Sequence, residues 1–283
     1  MVLSPVNVSQ VKQISPFRYP GGKTWLVPGM TAILRSLPAR PSLFLEPFAG
    51  GASVSLAVAD QDLAARTHLA EKDPSISAVW NIAIAAPKPD LDALTGRILS
   101  FRLERQDVVD ALARDPADIV ERAFQTILRN RVQRGGIMAP GAGLLKEGEK
   151  GKGLASRWYP ETLVKRLLHI RALADLGRLA FTEGDALQAI AAAPQDAFLF
   201  VDPPYTAGGK AAGHRLYALP AIDHARLLDL LAVHQGPVVA TYDDNPEIRQ
   251  MAAERGVAIR PARMKNTHHA EMTELLLVRN LPV

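Results

Sequence analysis

Short apolar runs alternate with amphipathic stretches at both ends of the chain. The runs at Ser42–Glu46, Thr67–Glu71, Arg178–Thr182, Ala197–Asp202, Pro237–Tyr242, Val257–Pro261 and Glu274–Arg279 have the length of strands. Between them, helical patterns cover Ala52–Ala59, Ser75–Ala85, Ala186–Ala193, Ala221–His234 and Pro246–Arg255. Asp73-Pro74 and Asn245-Pro246 each have the form of an N-cap followed by proline at the first helical position. This alternation predicts an α/β fold with a βαβ-type, mostly parallel sheet. From about Pro87 to Leu176 the alternation stops. Helical patterns at Leu91–Arg105, Pro116–Asn130 and Pro160–Leu173 surround a glycine-rich basic loop, Arg134–Arg157, without a good strand. The expected division is therefore one domain from residues 1–86 and 177–283, with 87–176 inserted as a helical subdomain between the second and third strands.

Composition narrows the class. Hydrophobic residues make up 48% of the chain and charged residues 22%, enough for a sizeable core. There are no cysteines, which rules out disulfides and thiolate metal sites. The first residues, MVLSPVNVSQVKQ, have no signal-peptide pattern, and no apolar run reaches the roughly 20 residues needed to cross a bilayer. A cytoplasmic protein without membrane contact is the expectation. The net charge of +4 is unevenly spread: from Arg122 to Arg171 there are 11 Lys and Arg against Glu147, Glu149 and Glu161, so the remainder is net negative. A basic stretch on an acidic body is the footprint of a polyanion partner.

The sharpest chemical signal is the apolar run Phe198–Val201 ending in Asp202, Pro203, Pro204 and Tyr205. Ligands in open α/β sheets bind outside the carboxyl ends of strands, so these four residues are delivered to the functional edge. An aromatic amino group is a weak nucleophile because its lone pair is delocalised into the ring. A carboxylate at Asp202 and a backbone carbonyl at Pro203, both accepting from that group, would localise the lone pair. The prolines stiffen the loop, and Tyr205 offers a stacking face. A second signal is Leu43–Ser53, a strand entering a turn with Gly50 and Gly51 and then an alanine-rich helix, which would let a ligand approach the backbone; a plain βα turn has the same look. Glu71, ending the next run, suits ribose hydroxyls, and Asp73 suits a helix cap. Asp185 suits either a cap or the amino group of a cofactor adenine. Gly22-Lys23-Thr24 resembles the end of a P-loop, but that motif requires glycine at position 17, which is Phe17. His268 and His269 suit a surface or phosphate contact better than a metal, since no third ligand is near in sequence.

In order, Arg18-Tyr-Pro-Gly-Gly-Lys23, Glu46-Pro-Phe-Ala-Gly-Gly51, a basic insertion and Asp202-Pro-Pro-Tyr205 resemble the Dam-type family of adenine-specific DNA methyltransferases, the α motif order. Val238–Asp244 and Thr273–Asn280 are similar to that family's later strands. The resemblance implies S-adenosylmethionine as cofactor, with Tyr19 and Lys23 lining its pocket, Pro47, Phe48 and Gly50 beneath it, Glu71 on its ribose, and Asp185 and Asp202 at its edges. It implies a Rossmann-like, mixed seven-stranded sheet with helices on both faces, and that Asp202, Pro203, Pro204 and Tyr205 engage a flipped adenine. In the insertion, Arg129, Asn130, Arg131, Arg134, Lys150, Lys152 and Arg157 become candidates for contact with double-stranded DNA. A cognate restriction endonuclease is compatible with the resemblance, and no metal is expected. The chain has Tyr19 where the family often has tryptophan, and Phe48-Ala-Gly-Gly where it has a shorter glycine turn. The same tetrapeptide also suits a cytosine amino group or adenine in RNA. Carbon-5 methylation of cytosine needs a thiolate, which this chain lacks. A DNA-binding module with a vestigial cofactor site is the rival from outside the enzymes.

Overall fold

A computed structural model describes residues 10–18, 22–133, 143–146, 151, 153–204, 222–265 and 271–281. Seven strands, β1 (Leu43–Glu46), β2 (Arg66–Glu71), β3 (Leu179–Glu183), β4 (Phe198–Val201), β5 (Val238–Asp243), β6 (Ala258–Lys265) and β7 (Glu271–Arg279), form one sheet in the order β3-β2-β1-β4-β5-β7-β6. The first five run parallel, and β7 lies antiparallel to both β5 and β6. This is the Rossmann-like mixed sheet that the sequence predicts.

The side-chain period of two sorts the core into faces. Phe44, Phe198, Phe200, Val239, Leu276 and Val278 pack against α1 (Val27–Ser36) and α2 (Ser53–Asp60). Their neighbours Leu45, Leu199, Val201, Val238, Ala240 and Leu277 pack against α8 (Ala186–Ala192), α9 (His224–Val233) and α10 (Pro246–Glu254). Strand β4 is apolar at every position because both of its faces are covered. Helix α9 starts where Asp223 accepts from the Arg226 amide at 2.8 Å, and its Leu227, Leu228 and Leu231 are fully buried. Each contributes roughly 1.5–3 kcal/mol through burial.

The chain leaves β2 through α3 (Pro74–Trp80), a π-helical turn at Asn81–Ala85, α4 (Lys88–Ser100), α5 (Arg105–Ala113), α6 (Ile119–Val132) and α7 (Pro160–Asp175), and only then forms β3. Trp80 and Ile82 share a core with Phe124, Ile127, Leu167 and Ile170, so these helices are continuous with the sheet's flank. The predicted helix Leu91–Arg105 is interrupted instead. Phe101 leaves helical geometry and packs edge-on against Phe124 and Trp158, at 5.0 and 6.0 Å. Helix α1, which the apolar pattern does not reveal, carries Pro28 in its first turn, where a missing N–H costs little. Both closing strands run longer than predicted, and β6 accommodates Pro261 because it is the sheet's outer strand.

Candidate active site

The strand order reverses between β1 and β4, since β2 and β3 follow on one side and β5 on the other. At such a switch point the loops leaving the carboxyl ends diverge and open a crevice. A cavity of about 450 Å³ lies there, walled by the turn after β1, the ends of β2 and β4 and the start of α8. The β1 turn is tightly held. Gly50 has φ +43°, and Ala52 is also left-handed at φ +48°, a conformation that glycine adopts without the cost a Cβ brings. The Gly50 amide donates to Glu71 at 2.8 Å, and its carbonyl accepts from the Trp80 indole at 3.0 Å. The other Glu71 oxygen accepts from the amides of Lys72 and Asp73, both at 2.9 Å. Burial raises the Glu71 pKa, opposed by those amide bonds.

A charged group occupies the opposite wall. The same period that places Phe44, Phe200, Val239 and Leu276 on one face places Glu46, Asp202, Thr241 and Glu274 there too. Lys23, in the short 3₁₀ turn Lys23–Leu26 that leads into α1, is directed among them. Its ammonium, 3% exposed, lies 3.0 Å from Asp202 and 3.8 Å from Glu274. Thr241 donates to the same Asp202 oxygen at 2.5 Å. Asp202 remains 22% exposed at the cavity wall. Burial disfavours the Lys23 ammonium, yet Asp202 and Glu274 outweigh it and hold its pKa above the ordinary value. Burial pushes Glu46 up to about 8, although the Ser55 amide donates to it at 3.2 Å, and pushes Glu274 to about 7.

Both carboxyls thus keep protons in the folded state that the unfolded chain releases near pH 4.5. Their contribution favours the fold at low pH and is lost as pH rises toward 8. Glu46→Gln keeps the shape without the charge. It should gain stability relative to the parent protein as pH rises from about 5, reaching on the order of 1–3 kcal/mol at pH 8. Denaturant titrations at several pH values read this directly, and a difference that does not vary with pH contradicts it.

The structure brings Lys23, Pro47, Phe48, Gly50, Glu71, Asp185, Asp202 and Pro204 together around one cavity. Asp185 does two things there: one oxygen caps α8 through the Leu187 and Gln188 amides, and the other pairs with Lys72 at 3.0 Å. Asp73 caps α3 through the Ser75 amide at 2.8 Å. Tyr19, Tyr205, Arg134, Lys150, Lys152, His268 and His269 lie outside the described residues. In the insertion, Arg129 and Arg157 are partly exposed, but Asn130 is fully buried. The Asn130 amide accepts from the Arg18 N–H at 2.9 Å and donates to the Arg18 carbonyl at 3.0 Å, so it ties α6 to the N-terminal segment and does not face solvent. Arg131 is also turned inward and donates to the Pro16 carbonyl. Arg171, part of the same basic stretch, caps the π-helical turn through the carbonyls of Ile82, Ala83 and Ala86.

Glu46, Thr241 and Glu274 are site residues that lie within the recognised motifs but receive no role from them. The signal was present, since Glu46 and Glu274 are lone acids in runs of leucine, and a carboxylate in a buried strand requires partners. Among the described residues, no group of three or more acids and histidines could hold a metal ion. No helix among them is long and apolar enough to cross a membrane.

No protein-family model and no curated protein sequence matches the chain. Among solved structures, it is similar to a precorrin-6y C5,15-methyltransferase from Geobacter metallireducens GS-15, with 10% identity, a TM-score of 0.35, and coverage of 88% of this chain and 84% of that one. It is also similar to the rRNA methyltransferase AviRa from Streptomyces viridochromogenes, with 15% identity, a TM-score of 0.42, and coverage of 97% of this chain and 94% of that one.

Proposed function

We propose that this chain is an S-adenosylmethionine-dependent methyltransferase acting on the exocyclic amino nitrogen of adenine in DNA. The observation that carries the reading is Asp202. It ends a fully buried strand at the wall of a mixed polar and apolar cavity, is held by Lys23 and Thr241, and is followed by two prolines. A rigid, oriented carboxylate at this edge suits a substrate amino group better than it suits a structural turn.

The cavity suits the cofactor by its donor set. Phe48 offers an apolar surface, Glu71 and Asp185 offer acceptors for hydroxyl and amino groups, and the turn at Gly50 permits close approach to the backbone. S-adenosylmethionine supplies a methyl group on a sulfonium sulfur, open to displacement by a nitrogen lone pair. Asp202 and the Pro203 carbonyl accept hydrogen bonds from the amino group, and Tyr205 stacks on the base. An adenine paired in a duplex cannot reach this cavity, so it must be flipped out. Residues 87–176 act as the target-recognition region, with Arg129, Arg134, Lys150, Lys152 and Arg157 on backbone phosphates. Double-stranded DNA in the cytoplasm is the partner, and a cognate restriction endonuclease fits the same role.

The deciding experiment incubates the protein with DNA and labelled S-adenosylmethionine and digests the product to nucleosides. N6-methyladenine is expected; methylcytosine alone, or label confined to RNA, overturns the substrate. For the cofactor, Glu71→Ala should weaken binding by about 1–3 kcal/mol in calorimetric titration, through the lost acceptor and a loosened Gly50 turn. Unchanged affinity would assign the ribose to another residue.

A further inference from the structure

Among the described residues, six acids line the transfer cavity against two lysines, Lys23 and Lys72. Five of the acids have donors or solvent to support a negative charge. Glu71 accepts from three backbone amides, Asp73 caps α3, Asp185 caps α8 and pairs with Lys72, Asp202 takes Lys23 and Thr241, and Asp223 caps α9 while exposed to solvent. Glu46 is the sixth, and it differs. It is 4% exposed; one oxygen accepts from the Ser55 amide at 3.2 Å, and the other makes no hydrogen bond among the described residues. Burial disfavours its carboxylate most, and Asp202 on β4 opposes that charge more strongly than Lys23 supports it, so the protein alone holds a proton there up to about pH 8.

A cation in the same cavity would draw that proton off, because an opposite charge nearby favours the ionised carboxyl. S-adenosylmethionine carries a positive sulfur; S-adenosylhomocysteine, which remains after transfer, does not. In the transfer the nitrogen–carbon bond forms, and the carbon–sulfur bond breaks with its electron pair left on sulfur. The amino nitrogen then sheds one proton. Positive charge thus leaves the sulfur and reappears as a proton, the one particle that would make Glu46 neutral again.

We propose that Glu46 is the proton-exchanging counter-ion of the cavity: it gives up its proton when the cationic cofactor enters, takes one back when the neutral thioether is left, and so lets the protein tell fresh cofactor from spent by charge. The two compounds share their adenosine and amino-acid parts, so contacts to those parts cannot separate them, whereas a carboxyl that changes charge with the sulfur can. Glu71 is less suited to this exchange, since its oxygens are held by the amides that fix the Gly50 turn. The inference rests on the cofactor reading above and makes no assumption about the methylated base.

The test is calorimetric titration of the full chain, without DNA, in two buffers of different ionisation enthalpy, which counts the protons released on binding. At pH 7 the parent protein should release roughly 0.5–0.9 proton per S-adenosylmethionine bound and at most about 0.2 per S-adenosylhomocysteine. Proton release means that binding tightens as pH rises, so from pH 6 to 7.5 the preference for S-adenosylmethionine should grow about tenfold; the amino group common to both compounds cancels from that ratio. Glu46→Gln should lose the release and hold a constant preference. Glu274→Gln should keep both, because Glu274 does not line the cavity. Equal release with the two compounds in the parent protein overturns the proposal without any variant. Parent-like release in Glu46→Gln, or its loss in Glu274→Gln, would place the proton elsewhere and overturn it as well. Binding of S-adenosylmethionine without a proton signal overturns this inference and leaves the cofactor reading standing, whereas no binding at all overturns both.

Discussion

Asp202→Asn is expected to lower methyl transfer by roughly two to three orders of magnitude while the protein remains folded and binds S-adenosylmethionine. The magnitude is that of losing one preorganised polar contact that matters most in the transition state. Asparagine preserves the shape and can still accept from Thr241, which reaches Asp202 at 2.5 Å. It removes the negative charge that aligns the amino hydrogens. Asn is a better probe than Ala, because Lys23 lies 3.0 Å away and keeps a side-chain oxygen to donate to. Single-turnover assays separate the effect from cofactor affinity, and turnover within threefold of the parent protein would remove Asp202 from the mechanism.

Lys23→Met should have the largest effect on stability, about 3–5 kcal/mol, because breaking a buried ion pair from one side strands its partners. Here the partners are Asp202 and the nearly buried Glu274, with Glu46 close enough to feel the same charges. The proton affinities of Glu274 and Glu46 should rise once the ammonium is gone. A carboxyl whose folded pKa is raised favours the fold at low pH, so the variant should recover stability as pH falls from 8 toward 5. Chemical denaturation at both ends of that range checks this. A variant as stable as the parent protein at pH 8 would mean that the lysine holds nothing in place.

The strands were legible because buried parallel strands are written as unbroken apolar runs; Phe198–Val201 needs no other reading. Asp73 and Asn245 were legible as helix starts because capping is local chemistry. The network of Lys23, Glu46, Asp202, Thr241 and Glu274 was not, since it exists only once the sheet order places four strands side by side. The basic insertion shows a different limit. Charge density along the chain reveals a polyanion footprint but not which guanidiniums face outward, and Asn130, Arg131 and Arg171 turned inward to hold backbone segments from elsewhere in the fold. Helix α1 escaped notice because Pro28 and Gly29 interrupt its apolar spacing at the position where a helix tolerates them best.

The sheet order also shapes how the protein is made. Strand β1 lies inside the sheet, flanked by β2 and by β4, and Phe44 meets Phe198 only after about 150 further residues have left the ribosome, which at roughly 5–20 residues per second is about 8–30 seconds of synthesis. Throughout that interval one edge of β1, lined with unpaired amides and carbonyls and flanked by phenylalanine and leucine, is open to any extended segment that reaches it first. Nascent chains stalled before Phe198 should therefore be the stage most dependent on chaperones and most prone to aggregation.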